Sequence, residues 1–215
     1  MSSSTIQHWI EAFPVLMRGA AVTVELTAAG LALASILALM TALMRVSRVR
    51  VLESIAYVYA LVIRGTPLFV QIFIVYFVIN APSKFMSGFI ALGVNYGAYM
   101  SEIVRGAIES IDKGQMEAAR SVGMSYGLAM RRVIIPQTYK RLIPPLGNEF
   151  IAMLKDSALV SVMGLTELAR AGSTFIMRTF ELSVYFEVAL VYLALTSIFS
   201  VVAFYGERWA GVHER

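Results

Sequence analysis

Long runs of apolar residues alternate with short polar interruptions along this chain, the pattern of a polypeptide that lies in a bilayer. Leu26 to Met44, Gly65 to Ser83 and Val188 to Gly206 each run 19 residues without Asp, Glu, Lys or Arg, and Phe85 to Ser101 runs 17. A helix rises ~1.5 Å per residue, so ~20 such residues cross a hydrocarbon core of ~30 Å. Ser54 to Ile63 extends the second run backward through Arg64, giving a long segment broken by Gly65 and Pro67. A fifth candidate, Leu142 to Leu165, is long enough but carries Glu149, Lys155 and Asp156. The pattern predicts an all-α membrane protein of about five transmembrane helices in one domain, 1–215, with spans near 20–44, 54–80, 85–105, 142–165 and 186–207.

Loop charge decides the count. With the N-terminus outside and five spans, Arg45 to Glu53, Arg105 to Arg141 and Glu207 to Arg215 are cytoplasmic and hold three, seven and two basic residues. Only Arg18, Lys84, Arg170 and Arg178 fall outside, so twelve against four obeys the positive-inside rule. Four spans would misplace either the basic loop or the basic end. The expected topology is N-terminus outside, C-terminus inside, with one long cytoplasmic loop at 106–141. The first 18 residues lack the basic start and small-residue cleavage pattern of a signal peptide. Ile6, Trp9, Ile10 and Phe13 instead have helical spacing, which predicts a short helix in the outer interface.

Composition agrees and removes several chemistries. Hydrophobic residues make up 58% of the chain and charged ones 15%, and mean hydropathy is +0.72. There is no cysteine, so disulfides and thiolate sites are excluded. The histidines, His8 and His213, lie at opposite ends, leaving little for a histidine base or a histidine-bound metal. The net charge of +4 reflects where the loops lie rather than a nucleic-acid partner.

The loop between the third and fourth spans contains Gln115-Met116-Glu117-Ala118-Ala119-Arg120-Ser121-Val122-Gly123 and closes on Val133-Ile134-Ile135-Pro136. Met116, Ala119 and Val122 share one side of a short helix, and the alanines at 118 and 119 let another surface approach. Gly123 suits a left-handed helix end, Ser125 can cap a second helix, and Pro136 is expected to stop it. Physical reasoning leaves two readings of this hairpin, a partner-docking surface or a solvated connector.

Glu117-Ala118-Ala119, three residues, Gly123, then twelve residues and Pro136 resembles the EAA signature of binding-protein-dependent ABC importer permeases. Val133 and Ile135 stand in its aliphatic positions. Arg64-Gly65-Thr66-Pro67-Leu68, Tyr96-Gly97-Ala98-Tyr99 with Glu102, Arg105 and Gly106, and Asn148-Glu149-Phe150 with Lys155-Asp156-Ser157 resemble the polar amino-acid branch, which takes up residues such as histidine, glutamine or arginine. The resemblance implies a fold of the type I importer kind, with Met116, Glu117, Ala118, Ala119, Gly123 and Pro136 in a coupling helix hairpin that sits on an ATPase. It implies as partners an ABC ATPase dimer, a second permease copy or homologue, and an extracytoplasmic amino-acid-binding protein, in a bacterial inner membrane. The chain has no Gly-x-x-x-x-Gly-Lys-Ser/Thr loop, so ATP and Mg belong to the partner ATPase and no cofactor is expected here.

A charge at mid-bilayer costs at least ~2.5 kcal/mol on insertion scales, so intramembrane charges face partners or water-filled paths. Arg64, Glu102, Glu149, Asp156 and Ser157 are the candidates for the substrate path. Glu149 and Asp156 are seven apart and share a face, while Lys155 points about 100° away from Asp156. Glu102 and Arg105, three apart, also suit a structural pair. Arg64 beside the helix break attracts a carboxylate or simply snorkels. An intramembrane enzyme lacks support, with no His-Glu-x-x-His and no mid-membrane histidine to serve as a base. A self-contained secondary carrier does not require the hairpin.

Overall fold

The computed structural model describes residues 3–47 and 49–209, with side chains from Gln7 onward. Arg48, His213, Arg215, the side chain of Ile6 and the end of the expected cytoplasmic segment Glu207 to Arg215 lie outside the described residues. Those described are all-helical apart from short turns.

Helix α1 runs from Ser3–Val46, 44 residues without a break despite Pro14. The separate interfacial helix expected at the start does not form; the opening residues continue into the first span. Packing explains why. Proline inside a helix costs ~3 kcal/mol, but Ala12, Leu16 and Ala20 are buried against Leu168, Ala171, Ile176, Val184 and Val188. Trp9 also donates its indole N–H to Ser183 Oγ at 2.9 Å.

The expected second span is two pieces. Helix α2, Arg50–Arg64, and helix α3, Leu68–Phe73, which continues as a wide π turn over Ile74–Val78, meet at 103°. The break falls at Gly65–Pro67, as Pro67 requires by lacking an N–H and holding an extended ψ of 134°. Helix α4, Lys84–Glu109, follows, its first turn capped by the Ser83 hydroxyl accepting from Met86 N.

By length and composition, Gln7–Val46 and the final helix α9, Val184–Trp209, can each cross a membrane, and the bent pair makes a third if it is one span. Helix α4 is long but less apolar because the protein surrounds it. Asn95, Tyr96, Gly97 and Ser101 are all buried there. Gly93 lets Leu33 of α1 approach so closely that a Cβ built on it would lie 2.7 Å from Leu33 Cδ2.

The residues of the expected cytoplasmic loop form helix α5, Lys113–Ser121, capped by the Asp112 carboxylate accepting from Gly114 N at 2.7 Å. Gly123 turns the chain with φ +86°. Ser125 then caps the short helix α6, Tyr126–Ala129, accepting from Leu128 N. The left-handed glycine and the serine cap are as the sequence predicts. The proline is not. Pro136 sits in the first turn of helix α7, Ile135–Asp156, which α6 reaches through a π turn over Met130–Ile134. The wider turn before it, in which Ile135 N donates to Met130 O, accommodates the bond that proline cannot make and removes the clash.

Helix α7 accommodates Pro144 and Pro145, then tightens into a 3₁₀ turn over Ser157–Met163 that ends at Gly164 with φ +80°. Helix α8, Leu168–Thr179, was not expected from the pattern. Its cap is Glu167, fully buried, accepting from Ala169 N, Arg170 N and the Tyr192 hydroxyl at 2.8, 2.7 and 2.9 Å. Leu168 N donates to Thr23 Oγ1 at 3.2 Å, so α1, α8 and α9 meet at one polar node. In the turn after α8, bonds from Ser183 hold the Glu181 carboxyl below its ordinary range.

Close approach of α1 and α8 depends on Gly19. A Cβ built there would lie 2.8 Å from Ala171 Cβ and 2.9 Å from Leu168 Cα, and the latter is backbone that cannot give way. Gly19→Val is therefore expected to separate the helices and unseat Glu167, costing ~3 kcal/mol or more. Yield of monodisperse protein in detergent checks it, and a yield equal to wild type contradicts this packing.

Candidate functional site

The helix break builds the candidate site. Ending α2 at Arg64 and restarting at Leu68 frees backbone carbonyls, which must find donors. Gln71, one turn into α3 and buried, provides them. Its Nε2 donates to Ile63 O at 2.7 Å, Thr66 Oγ1 at 2.8 Å and Thr66 O at 3.2 Å. Its Oε1 accepts from Asn95 Nδ2 of α4 at 3.0 Å. The two amides lock the break against α4.

The locked break forms one wall of a cavity of about 490 Å³, lined by Arg64 to Leu68, by Asn95, Tyr96 and Tyr99 of α4, and by Glu149 and Asp156 of α7. The shared face predicted for the two carboxylates is observed, and Lys155 points away and is exposed. Asp156 Oδ2 accepts from the Tyr96 hydroxyl at 2.8 Å. Among the described residues neither Glu149 nor Asp156 has a basic partner within 4.0 Å. The Arg64 guanidinium lies 5.4 Å from the centre of the Tyr99 ring, a cation–π distance. A cation and two carboxylates thus face one volume large enough for a small zwitterion.

The other two path candidates lie elsewhere. Ser157 is fully buried and donates to Leu154 O at 2.7 Å, so its hydroxyl serves its own helix and not the cavity. Glu102 stands behind Arg64. Its carboxylate takes two bonds from Arg105, at 2.7 and 3.0 Å, and approaches Arg45 at 3.8 Å and Arg64 at 3.9 Å. It ties α1, α2 and α4 together, the structural role weighed above, and Arg105 also pairs with Glu109 at 2.5 Å.

Gln71, Asn95, Tyr96 and Tyr99 complete the site without having been singled out from the sequence as path residues. The signal for the amides was present: a Gln and an Asn, each inside an apolar run.

At the other end of the protein, the α5–α6 hairpin exposes Glu117, Ala118 and Val122, the last at 74%. Met116 is half-buried, and Ala119 turns inward and is buried at 6%. No heavy atom lies within 4 Å of where a Cβ would stand on Gly106, Gly123 or Gly127. The predicted stripe is therefore split, with Ala119 packed inside the hairpin and Val122 facing out. Arg141 Nη1 donates to both the carbonyl and the hydroxyl of Ser110, bracing the base of the hairpin.

The family described as "Binding-protein-dependent transport system inner membrane component" matches residues 30–211. The chain belongs to this family. Over 202 residues it is 40% identical to the L-cystine transport system permease protein TcyB of Bacillus subtilis (strain 168), covering 91% of this chain and 86% of that one. It is 35% identical to the glutamine transport system permease protein GlnP of Escherichia coli (strain K12), covering 89% and 90%. A solved structure titled as an amino acid ABC transporter with histidines superposes with a TM-score of 0.90 at 38% identity, covering 97% of this chain and 99% of that one.

This permease is thus a multi-pass inner-membrane subunit of an ABC importer of the polar amino-acid uptake branch. It is a transport subunit and not an enzyme. Importers of this kind pair permeases with ATPase subunits and an extracytoplasmic binding protein, and ATP with its Mg is held by the ATPase. No group of three or more His, Asp or Glu fit to hold a metal occurs among the described residues.

Proposed function

We propose that the cavity between the helix break and α7 is a station on the path of a polar or charged amino acid moving to the cytoplasm. The observation that carries this reading is the opposition of Arg64 to Glu149 and Asp156 around one volume. An α-carboxylate pairs with the guanidinium, an α-ammonium with one carboxylate, and the second carboxylate remains for a polar or basic side chain. Glu102 positions Arg64 from behind, and Ser157 shapes the turn below. Competition for uptake by amino-acid amides, which lack the α-carboxylate, tests the pairing. An amide that competes as well as its parent acid contradicts the role given to Arg64, provided the binding protein accepts both.

The architecture we propose is five spans with the N-terminus outside and the C-terminus inside. α1 and α9 supply two and the bent α2–α3 pair a third. α4 and α7 with its 3₁₀ extension supply the others, polar because they are enclosed by protein rather than lipid. Support comes from the charge balance, since the seven basic residues of Arg105 to Arg141 gather around the hairpin. Reporter fusions after Arg215 and within Ser83 to Met86 are expected to read cytoplasmic and extracytoplasmic respectively. The same side for both contradicts the five-span arrangement.

At the cytoplasmic end the hairpin, with Met116, Glu117, Ala118, Ala119, Gly123 and Pro136, couples to the ATPase. Pro136 acts here as the start of α7 and so links hairpin movement to the helix that carries Glu149 and Asp156. What supports this is continuity, α6 passing into α7 without a loop.

A further inference from the structure

Away from this path, a furrow runs between the first half of α1 and the first half of α9. It encloses about 540 Å³ between Trp9, Phe13 and Met17 on one side and Glu187, Leu190 and Ile198 on the other. An adjoining hollow of about 360 Å³ shares Trp9, Phe13 and Glu187. Apart from Glu187 the side chains are apolar or, for Trp9, have their N–H already given to Ser183.

Glu187 is anomalous. It is only 8% exposed, and its Oε2 has no hydrogen-bond partner. No basic side chain among the described residues lies within 4.0 Å of it. A buried carboxylate without a donor is costly, so a donor from outside this chain would be strongly held. The furrow's length specifies the rest of that ligand. Glu187 to Ile198 on α9 and Trp9 to Ala20 on α1 are each eleven residues apart, about 16 Å of helix. That is close to one leaflet of a ~30 Å hydrocarbon core. An acid beside a tryptophan at one end, and apolar walls running on from it, match a molecule with a cationic head and a long apolar body.

We propose that this furrow is a lipid site that holds one acyl chain of a phospholipid with a primary ammonium head, the head donating to Glu187. The α1–α8–α9 node at Thr23, Glu167 and Tyr192 lies along the same helices, so the bound lipid braces the outer packing of α1 on α9.

Native mass spectrometry of the permease purified with its ATPase, from bilayers of equal phosphatidylethanolamine, phosphatidylglycerol and phosphatidylcholine, tests this. The wild-type complex is expected to retain phosphatidylethanolamine over each of the others by about tenfold, the scale of one charge-assisted hydrogen bond. Phosphatidylcholine is the sharper comparison, because its methylated head has no N–H. Glu187→Gln is expected to abolish the preference while lipid is still retained, and Ala194→Trp, at an exposed position on the furrow wall, to reduce retention of all three. ATPase activity of each complex reports that it is assembled. Equal retention of the three lipids by the wild type overturns the proposal, as does retention unchanged by Ala194→Trp. High-yield disulfide linkage between two copies carrying Leu190→Cys also overturns it, since a second permease would then cover the furrow.

Discussion

Asp156→Asn lowers uptake per assembled complex by about tenfold or more while the yield of complex stays near wild type. Asparagine keeps the size of the side chain and an oxygen to accept from the Tyr96 hydroxyl, so the 2.8 Å contact survives. Only the charge is lost. An aspartate paired with a buried cation would behave differently, because its loss strands the cation at ~3–5 kcal/mol and assembly fails. Among the described residues Asp156 has no such cation within 4.0 Å, which is why assembly is expected to hold. Uptake by proteoliposomes, normalised to complex recovered by size exclusion, separates the outcomes. Wild-type uptake of every amino acid tested, at wild-type yield, removes Asp156 from the path.

Gly123→Val abolishes retention of the ATPase on purification and reduces transport by at least about tenfold, yet the permease inserts normally. The residue has φ +86°, where a side chain costs ~1–2 kcal/mol and a β-branched one is least tolerated. That strain alone is small against the packing of the spans. Apart from its chain neighbours, no atom of the described chain stands within 4 Å of a Cβ at this position, so a side chain here starts into open space, on the surface proposed to dock the ATPase. Gly123→Ala carries less backbone strain and less bulk and is expected to show a weaker defect. Co-purification of the ATPase with each variant, against equal membrane abundance, is the check. Full retention and full transport in Gly123→Val make the hairpin a mere connector.

Hydropathy read α1 and α9 well because both keep large apolar side chains on the outside of the fold, as Leu39, Leu43, Leu190 and Leu193 show. It was weaker for α4 and α7, where partners are other helices and the sequence can afford Asn95, Tyr96, Glu149 and Asp156. The break at Gly65–Pro67 was legible from proline alone, but its 103° bend was not, since the angle depends on Gln71 reaching Ile63, Thr66 and Asn95 across the fold. Gly123 and Ser125 were legible because a left-handed turn and a cap are local events. Pro136 misled because whether proline stops a helix or starts one depends on the turn before it, and the π turn at Met130–Ile134 has no sequence signature. α8 went unread in part for a similar reason: its cap, Glu167, takes two local bonds from Ala169 N and Arg170 N but its third from Tyr192 of a distant helix.

Glu149 and Asp156 could be placed on one face by spacing alone. Their opposition to Arg64 could not, because it joins residues from either side of four intervening helices. Nor could the sequence show that Ser157, a path candidate as the neighbour of Asp156, gives its hydroxyl to Leu154 O.

The central claim is that this chain supplies a path for an amino acid and none of the energy. The most direct measurement is uptake of labelled polar amino acids into proteoliposomes holding the permease with its ATPase, binding protein outside and ATP inside, compared with the permease alone. Accumulation that requires all three components and ATP hydrolysis is the predicted result. Accumulation by the permease alone, driven by an ion gradient, would contradict it.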